Sequence, residues 1–321
     1  MRRCESEGSQ GLAGRARVGA VLLLLGLTMA LVGALAAALA GCPGAGAGVE
    51  PQVTLFDHRT GQRQRLGLEK YLEGVVAAEM DPRWPQTALE AQAIVARTFT
   101  MDRLSRGGTR RLHGTDLCTD PRHVQAYDAA RVTPAVRQAV RATRGQVITH
   151  GGRFARAYFH AASGGRTSTP SEGLGLPGVR LPYLVPVEDV ATPQNRAAWS
   201  ASFTKAEVES AAARLGIRLG ELEPVGIGRK GPSGRALEVV LGGRRVSAPR
   251  LRSILGPTRM RSTLLDEVRL EGDRLVLEGR GYGHGVGMAQ WGAYAMARQG
   301  KTCTDIIRHY YPGVKLETRW T

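Results

Sequence analysis

An uncharged apolar run from Val18 to Ala40 determines where most of this 321-residue chain can fold. Four arginines come before the run, at positions 2, 3, 15 and 17. A basic segment followed by an apolar one is typical of a secretory signal. The 23 residues of the run could also span a bilayer as an uncleaved anchor, because about 20 suffice. Both interpretations place the rest of the chain outside the cytoplasm, since positive charge is retained inside.

The end of the apolar run, Leu39-Ala40-Gly41-Cys42, resembles a bacterial lipobox, in which the cysteine is lipidated and becomes the mature N-terminus. We therefore predict that residues 1–41 are a lipoprotein signal peptide and that Cys42 carries the lipid. Residues 42–50, rich in Pro, Gly and Ala, are predicted to be a flexible tether. The expected location is extracytoplasmic, anchored to a membrane of the bacterial cell envelope.

The chain is strongly basic, with a formal net charge of +16. The charge falls to +14 when residues 1–41 are removed, because they hold four arginines and two glutamates. Such a field favours an anionic extracellular polymer or a membrane surface as the partner. It does not indicate nucleic-acid binding in a protein outside the cytoplasm. Cys118 and Cys303 belong to the folded part, and the sequence leaves open whether they form a disulfide.

The hydrophobic periodicity after the tether changes repeatedly between helical and strand-like spacing. It predicts an α+β fold in which helices and β-hairpins are mixed around a substrate cleft. Helices are predicted near residues 68–80, 86–104, 134–144, 205–215, 249–255, 286–298 and 304–311. Hairpins are predicted at residues 53–66, 145–160 and 264–279. We further predict a small inserted lobe at residues 200–262 and a long loop at residues 161–198.

Glu79 stands at the predicted C-terminal end of the first helix. A carboxylate there faces the negative end of the helix dipole, which disfavours the charged form and raises the pKa. Such a group suits an acid catalyst. Spacing alone leaves a second interpretation open, in which Glu79 is a surface or capping residue. A further carboxyl group, Glu90, lies on the second helix, and we predict that it is exposed.

Three separated blocks of the sequence carry distinctive motifs. They run from Glu79 to Phe99, from Tyr158 to Thr167, and from Gly279 to Ala293, where glycine alternates with other residues. A terminal Tyr-Tyr-Pro-Gly follows at residues 310–313. In this order the blocks resemble the SpoIID/LytB family. The resemblance covers most of residues 51–317, which would form a SpoIID-like catalytic domain, and is weakest over residues 200–250.

SpoIID proteins of this family are lytic transglycosylases with a catalytic glutamate in the block that matches Glu79. The resemblance implies a membrane-anchored enzyme that cleaves the MurNAc–GlcNAc β-1,4 bond of peptide-stripped peptidoglycan glycan and leaves 1,6-anhydro-MurNAc ends. One carboxyl group suffices as general acid and base, because the C6 hydroxyl of the muramic acid supplies the attacking oxygen. LytB-type members imply the alternative, a noncatalytic wall-binding enhancer of an N-acetylmuramoyl-L-alanine amidase.

We predict that substrate-binding residues occur in all three blocks. They are Gln92, Arg97, His160, Ser163, Gly164, Gly165, Thr167, His284, Gly285 and Gln290. Hydroxyls and backbone donors beside glycine suit sugar binding, and an open helix start suits the lactyl carboxylate of a peptide-free muramic acid. For Arg97 and His284 the alternative is a buried hydrogen-bonding role. A Gly-x-Ser-x-Gly nucleophile elbow is missing around Ser163, which argues against a serine hydrolase.

His113, Cys118 and His123 have side chains and spacing that can hold zinc. Some SpoIID relatives hold zinc with two histidines and two cysteines, and this chain has Val124 where the last cysteine would stand. The fourth ligand would be water, Asp116, Asp120 or His160. We expect a bound zinc to be structural and to stiffen this loop, while the reaction itself requires no cofactor. The alternatives are a loop of ordinary polar residues and a zinc hydrolase centred on Cys118.

Overall fold

The computed structural model describes residues 48–190 and 192–321. The predicted signal peptide, the lipidated Cys42 and most of the tether lie outside these residues. Among the helices that are described, none is both long enough and apolar enough to cross a bilayer. The elements below all belong to one unit, Val49–Thr321.

The helices follow the predicted periodicity closely, and the break between the first two lies where the sequence places it. Pro85 immediately precedes the second helix and, lacking a backbone N–H, cannot continue the first. The helices of the described chain are α1 Leu68–Glu79, α2 Gln86–Ser105, α3 Arg110–His113, α4 Pro134–Ala142, α5 Pro170–Leu174, α6 Lys205–Ala213, α7 Ala248–Leu255, α8 Gln290–Arg298 and α9 Cys303–Tyr310.

The strands are short and form several small sheets. They are β1 Gln52–Phe56, β2 Arg63–Gly67, β3 Leu117–Cys118, β4 Gln146–His150, β5 Arg153–Phe154, β6 Phe159–His160, β7 Ala198–Thr204, β8 Val225–Ile227, β9 Glu238–Leu241, β10 Arg244–Ser247, β11 Leu265–Glu271, β12 Arg274–Arg280, β13 Met288–Ala289 and β14 Lys315–Thr318. Their orders are β2-β1-β3, β10-β9-β8, β11-β12-β7, β13-β6 and β14-β4-β5. The predicted α+β class is confirmed.

Two hydrophobic clusters hold these elements together. The first surrounds α2, whose alanine-rich sequence lets α1, α4, α8 and α9 contact it closely. Its residues from Ala88 to Ala96 are buried apart from Glu90. The second cluster draws on residues between Trp199 and Leu277. Most of its buried residues lie within the predicted inserted lobe, whose separate status stays a prediction.

The predicted hairpin at residues 145–160 is correct only in its first part. β5 pairs with β4 over two residues, and β6 then pairs in parallel with β13 instead. Alternation of apolar residues cannot reveal this change of partner, because β13 lies more than a hundred residues later. The parallel pairing of β6 with β13 is important for the site, since it places His160 beside Ala289 and the start of α8.

The helix predicted from residue 286 begins later, at Gln290. Gly287 has a positive φ of 69°, and Met288 and Ala289 are extended in β13, so the helix cannot begin before them. The long loop at residues 161–198 contains one short helix, α5, which a capping box between Thr169 and Glu172 initiates. Cys118 and Cys303 are both free thiols.

Candidate functional site

Glu79 is the last residue of α1, and both of its carboxylate oxygens accept hydrogen bonds. The backbone N–H of Ala126 donates to Oε1 at 3.0 Å, and Nε2 of Gln290 donates to Oε2 at 3.4 Å. The side chain is largely enclosed but not fully buried. Burial raises the pKa of Glu79, and it outweighs the two hydrogen bonds, which lower it. The predicted direction is therefore found, with burial as its main cause.

Three polar side chains from three helices meet at this carboxyl group. Besides donating to Glu79 of α1, the Gln290 amide at the start of α8 lies 3.5 Å from Oε1 of Gln92 on α2. Gln92 is fully buried, and its Nε2 has no protein partner in the described structure. A buried amide donor without a partner is rare in folded proteins. The fold thus brings together Glu79, predicted to be catalytic, and Gln92 and Gln290, predicted to bind substrate.

An aromatic cluster adjoins these residues along the chain. Trp84 follows α1, while Trp291 and Tyr294 lie on the first turns of α8 directly after Gln290. The Trp84 ring centroid lies 4.6 Å from that of Trp291 and 5.1 Å from that of Tyr294. All three side chains are partly exposed. Partly exposed aromatic rings offer apolar faces that the C–H faces of sugars can contact.

His160 and His284 form a second polar pair, with ring centroids 5.5 Å apart. Nδ1 of His160 lies 3.3 Å from the carbonyl oxygen of Val286, and its buried Nε2 has no partner in the described structure. Nδ1 of His284 accepts from the backbone N–H of Val286 at 3.0 Å. Burial and nearby positive charge lower both pKa values, that of His284 to about 3. Both rings are therefore neutral at physiological pH.

Arg97 does not face a substrate site. Its guanidinium is fully buried and donates to both carboxylate oxygens of Glu69, at 2.9 and 2.6 Å. It also donates to the carbonyls of Gln146 and Val140. The prediction that Arg97 binds substrate is corrected by this geometry, because all three guanidinium nitrogens donate within the fold. The buried alternative considered for Arg97 is the one found.

The loop after β6 is also structural. Oδ1 of Asn195 accepts from both the backbone and the hydroxyl of Ser163, whose Oγ in turn accepts from the N–H of Gly165. Gly164 has a positive φ of 81° and lies against Leu264. These contacts turn Ser163 inward, which corrects the prediction that this loop presents Ser163 and Gly164 to a sugar.

Two further predicted ligand contacts are replaced by internal ones. The buried Thr167 hydroxyl accepts from the N–H of Val187 at 2.8 Å, so it braces the neighbouring segment. Gly285 has a positive φ of 82° and lies directly against the buried guanidinium of Arg235. A side chain at Gly285 would collide with that group. Gly285 therefore allows Arg235 to approach the backbone closely. This corrects the prediction that Gly285 allows a ligand to approach.

Three potential metal ligands lie together around β3. One ligand atom from each of His113, Cys118 and His123 lies within 4.8 Å of the others, and the two imidazole nitrogens are 3.1 Å apart. The backbone N–H of Asp120 donates to Sγ of Cys118 at 3.3 Å. Two imidazoles and one sulfur suit zinc, so the residues present fit this ion and leave one position for another ligand.

The proposed fourth protein ligands are occupied elsewhere. Asp116 accepts from Thr54 and Arg110, and Asp120 accepts from Arg122. His160 is not a member of the cluster found in the described chain. Of the four options that the sequence leaves open, water is the one that the geometry favours.

Glu90 is partly buried beside the thiol of Cys303, which corrects its predicted exposure. The backbone N–H of Ala126 and the aromatic cluster are not predicted from the sequence. Side-chain patterns carry no signal for a backbone donor 47 residues away from its acceptor. The tryptophans do stand inside or next to the distinctive blocks, and their position there could have indicated a ligand contact.

Several known proteins are similar in sequence to this chain. The family described as Stage II sporulation protein, SpoIID, matches residues 57–150. A stage II sporulation protein D from Bacillus amyloliquefaciens is 31% identical over 285 residues, which cover 83% of this chain and 79% of the relative. An uncharacterized protein from Brachyspira hyodysenteriae is 31% identical over 252 residues, 78% of this chain and 67% of the relative.

A more distant relative carries a different name. The amidase enhancer of Bacillus subtilis is 24% identical over 297 residues, which cover 76% of this chain but only 40% of the enhancer. This chain combines a mixed α+β fold with a glutamate and two glutamines where three helices meet. The chain belongs to the SpoIID/LytB family, as the resemblance of its three blocks implies.

Proposed function

We propose that this protein is a lytic transglycosylase that cleaves the MurNAc–GlcNAc bond of peptide-stripped peptidoglycan glycan, with Glu79 as general acid and then general base. The environment of Glu79 carries the proposal. A largely enclosed carboxyl group with a raised pKa keeps its proton at higher pH than an exposed glutamate does. Membership in the SpoIID/LytB family supports a role in the cell wall.

The chemistry needs no second carboxyl group. Protonated Glu79 gives its proton to the glycosidic oxygen while the bond from that oxygen to C1 of MurNAc breaks, and GlcNAc leaves with a free hydroxyl. The C6 hydroxyl of the same MurNAc attacks C1 and passes its proton to the Glu79 carboxylate. Atoms balance without water, and the enzyme returns to its starting state. The Ala126 N–H and the Gln290 amide stabilise the carboxylate between the two transfers.

The surroundings of Glu79 support a saccharide as the ligand. Trp84, Trp291 and Tyr294 provide apolar ring faces, and the buried amide of Gln92 provides a donor without a partner among the described residues. Sugar-binding sites combine these two kinds of contact, since a sugar ring has apolar C–H faces and polar edges. This combination adjoins the carboxyl group that would act on the glycosidic bond.

Mass spectrometry of a glycan digest tests the proposal. The full-length protein in detergent is incubated with peptide-free glycan strands, and the ends of the products are identified. We expect 1,6-anhydro-MurNAc ends from the wild type and from the control Glu90→Gln, and none from Glu79→Gln. Products with only reducing ends would contradict the proposal. Cleavage that persists in Glu79→Gln and is lost to a chelator would indicate a zinc hydrolase at Cys118 instead.

A noncatalytic role is the second candidate, and the relative named amidase enhancer favours it. In that case the protein would bind glycan with the same residues and stimulate an N-acetylmuramoyl-L-alanine amidase. No glycan ends would form when the protein acts alone. An added amidase would release stem peptides faster, and Glu79→Gln would stimulate it as well as the wild type does.

We also propose that the chain is a lipoprotein anchored through Cys42, outside the cytoplasm. The lipobox-like residues at the end of the apolar run support this assignment. The variant Cys42→Ala should lose metabolic labelling by a fatty acid, whereas the control Cys303→Ala should keep it. Membrane retention of an unlabelled Cys42→Ala protein would show that the apolar run is an uncleaved anchor.

A structural zinc at His113, Cys118 and His123 completes the proposal. When bound, the ion would cross-link α3 to the segment after β3 through these side chains. Glu79 carries the acid and base steps by itself, so the proposed reaction assigns the metal no step. Its contribution would be to the stability of the loop region.

A further inference from the structure

A pocket of about 710 Å³ lies at the C-terminal end of α2, and none of the residues considered so far as ligand contacts lines it. It lies between that helix end, the β4–β5 turn and the segment around Tyr183.

The charge in this pocket is strongly unbalanced. Four arginines line it against one carboxyl group, Asp102, which already pairs with Arg106. Arg319 pairs with Glu317. In the described part of the chain, Arg153 and Arg156 have no carboxylate within ion-pair distance. Burial also raises the pKa of Asp102, which makes its negative charge harder to keep. The pocket therefore favours an anion.

One wall of the pocket is apolar. Phe154, Leu181, Pro182 and Tyr183 form it, and the guanidinium of Arg319 lies over the Phe154 ring at 5.7 Å from the ring centroid. Guanidinium groups bind carboxylates with paired hydrogen bonds, and aromatic faces suit the C–H faces of a sugar ring. A saccharide that carries carboxylates is one ligand that would use both walls. A phosphate polymer would use the arginines and leave the apolar wall without contacts.

The helix α2 and the segment from Arg153 to His160 both connect the pocket to the Glu79 site. Gln92 and Asp102 are ten residues apart on α2, which corresponds to about 15 Å along the helix axis. The segment from Arg153 to His160 likewise begins at the pocket and ends beside Ala289 and the start of α8. A strand of several sugars can cover this distance, whereas one sugar cannot.

We propose that this arginine-lined pocket binds the lactyl carboxylate of a muramic acid residue remote from the cleavage point. The inference rests on the proposed function, because it assigns the pocket to the same glycan strand. It replaces the role expected of Arg97, whose charge is used inside the fold. Recognition of free lactyl groups would select strands from which the peptides have been removed, since an amide-linked peptide hides that carboxylate.

Calorimetric titration of the full-length Glu79→Gln protein in detergent tests the pocket without cleavage. The probes are peptide-free peptidoglycan oligomers and chitooligosaccharides of the same length, which lack carboxylates. The test variant adds Arg153→Gln and Arg156→Gln. The matched control adds Arg280→Gln, which removes an exposed arginine that pairs with Asp266 outside the pocket. All variants should show the same circular dichroism and melting temperature, because these side chains are solvent-accessible.

We expect the double pocket variant to lose at least about tenfold in affinity for the carboxylated oligomer and to keep its affinity for chitooligosaccharide. The control should bind both probes unchanged. The assignment would be overturned if the double variant lost affinity equally for both probes or lost none for either. It would also be overturned if a glycerol-phosphate polymer competed more strongly than the glycan. The titration measures binding without turnover. If the pocket distinguishes the two probes but the wild type makes no anhydro ends, only the proposed activity is refuted.

Discussion

The side-chain amide of Gln290 donates to Oε2 of Glu79 at 3.4 Å, although 211 residues separate them in the chain. This bond joins the end of α1 to the start of α8. It lowers the pKa of Glu79, and burial raises that pKa by more. The balance between enclosure and hydrogen bonding at this one carboxyl group therefore decides at which pH it can act as an acid.

Replacement of Gln290 by methionine should shift the pH profile of cleavage. Gln290→Met removes a donor to the charged form of Glu79, so the pKa of Glu79 should rise further. The alkaline limb of kcat/KM, where the acid loses its proton, should move to higher pH. The exposed Gln299 offers a control of the same chemistry, and Gln299→Met should leave the profile unchanged. A shift to lower pH would refute this account of the bond.

The raised pKa of Glu79 also predicts how stability depends on pH. The folded protein holds the Glu79 proton more tightly than the unfolded chain does, so this group stabilises the fold at low pH. That contribution is lost as the pH rises through the raised pKa. In urea unfolding, the free energy of unfolding of Glu79→Gln should therefore increase relative to that of the wild type as the pH rises above the ordinary pKa of a glutamate. A variant less stable than the wild type across this range would assign Glu79 a structural role.

The buried pair of Arg97 and Glu69 should be important for folding. Arg97→Met leaves an unpaired buried carboxylate, and removal of one partner of such a pair costs about 3–5 kcal/mol. The exposed pair of Arg280 and Asp266 gives the comparison, and Arg280→Met should cost less than about 1 kcal/mol. Free energies of unfolding from urea titration measure both. Equal, small costs would show that the buried geometry is wrong.

Removal of zinc should lower the melting temperature of the protein, and this effect should require Cys118 but not Cys303. Metal analysis should find one zinc per chain in the wild type and in Cys303→Ser, and none in Cys118→Ser. A chelator should lower the melting temperature of the first two proteins and leave that of Cys118→Ser unchanged, because only a bound ion stabilises the folded state. A wild type without zinc and without a response to the chelator would leave His113, Cys118 and His123 as ordinary polar residues.

Local features of the fold could be predicted from the sequence. The helical periodicity and Pro85 locate α1 and α2, and they place Glu79 at a helix end. Proximity of Glu79, Gln92 and Gln290 could be predicted only from the resemblance of the blocks, since nothing local connects them.

Features that depend on distant partners could not be predicted. Arg97 resembles a ligand-binding residue in sequence, but its partner Glu69 lies 28 positions earlier. The inward turn of Ser163 depends on Asn195, which carries no distinctive pattern. The same limit applies to β6, because its pairing with β13 overrides the local alternation that suggested one continuous hairpin strand.

The source of the new oxygen at the cleaved sugar tests the central claim most directly. Peptide-free glycan is digested in water enriched in the heavy isotope of oxygen, and the masses of the product ends are measured by mass spectrometry. If Glu79 shuttles one proton while the C6 hydroxyl attacks, the wild type should give anhydro ends without heavy oxygen, and Glu79→Gln should give no products. Incorporation of heavy oxygen at new reducing ends would contradict this mechanism.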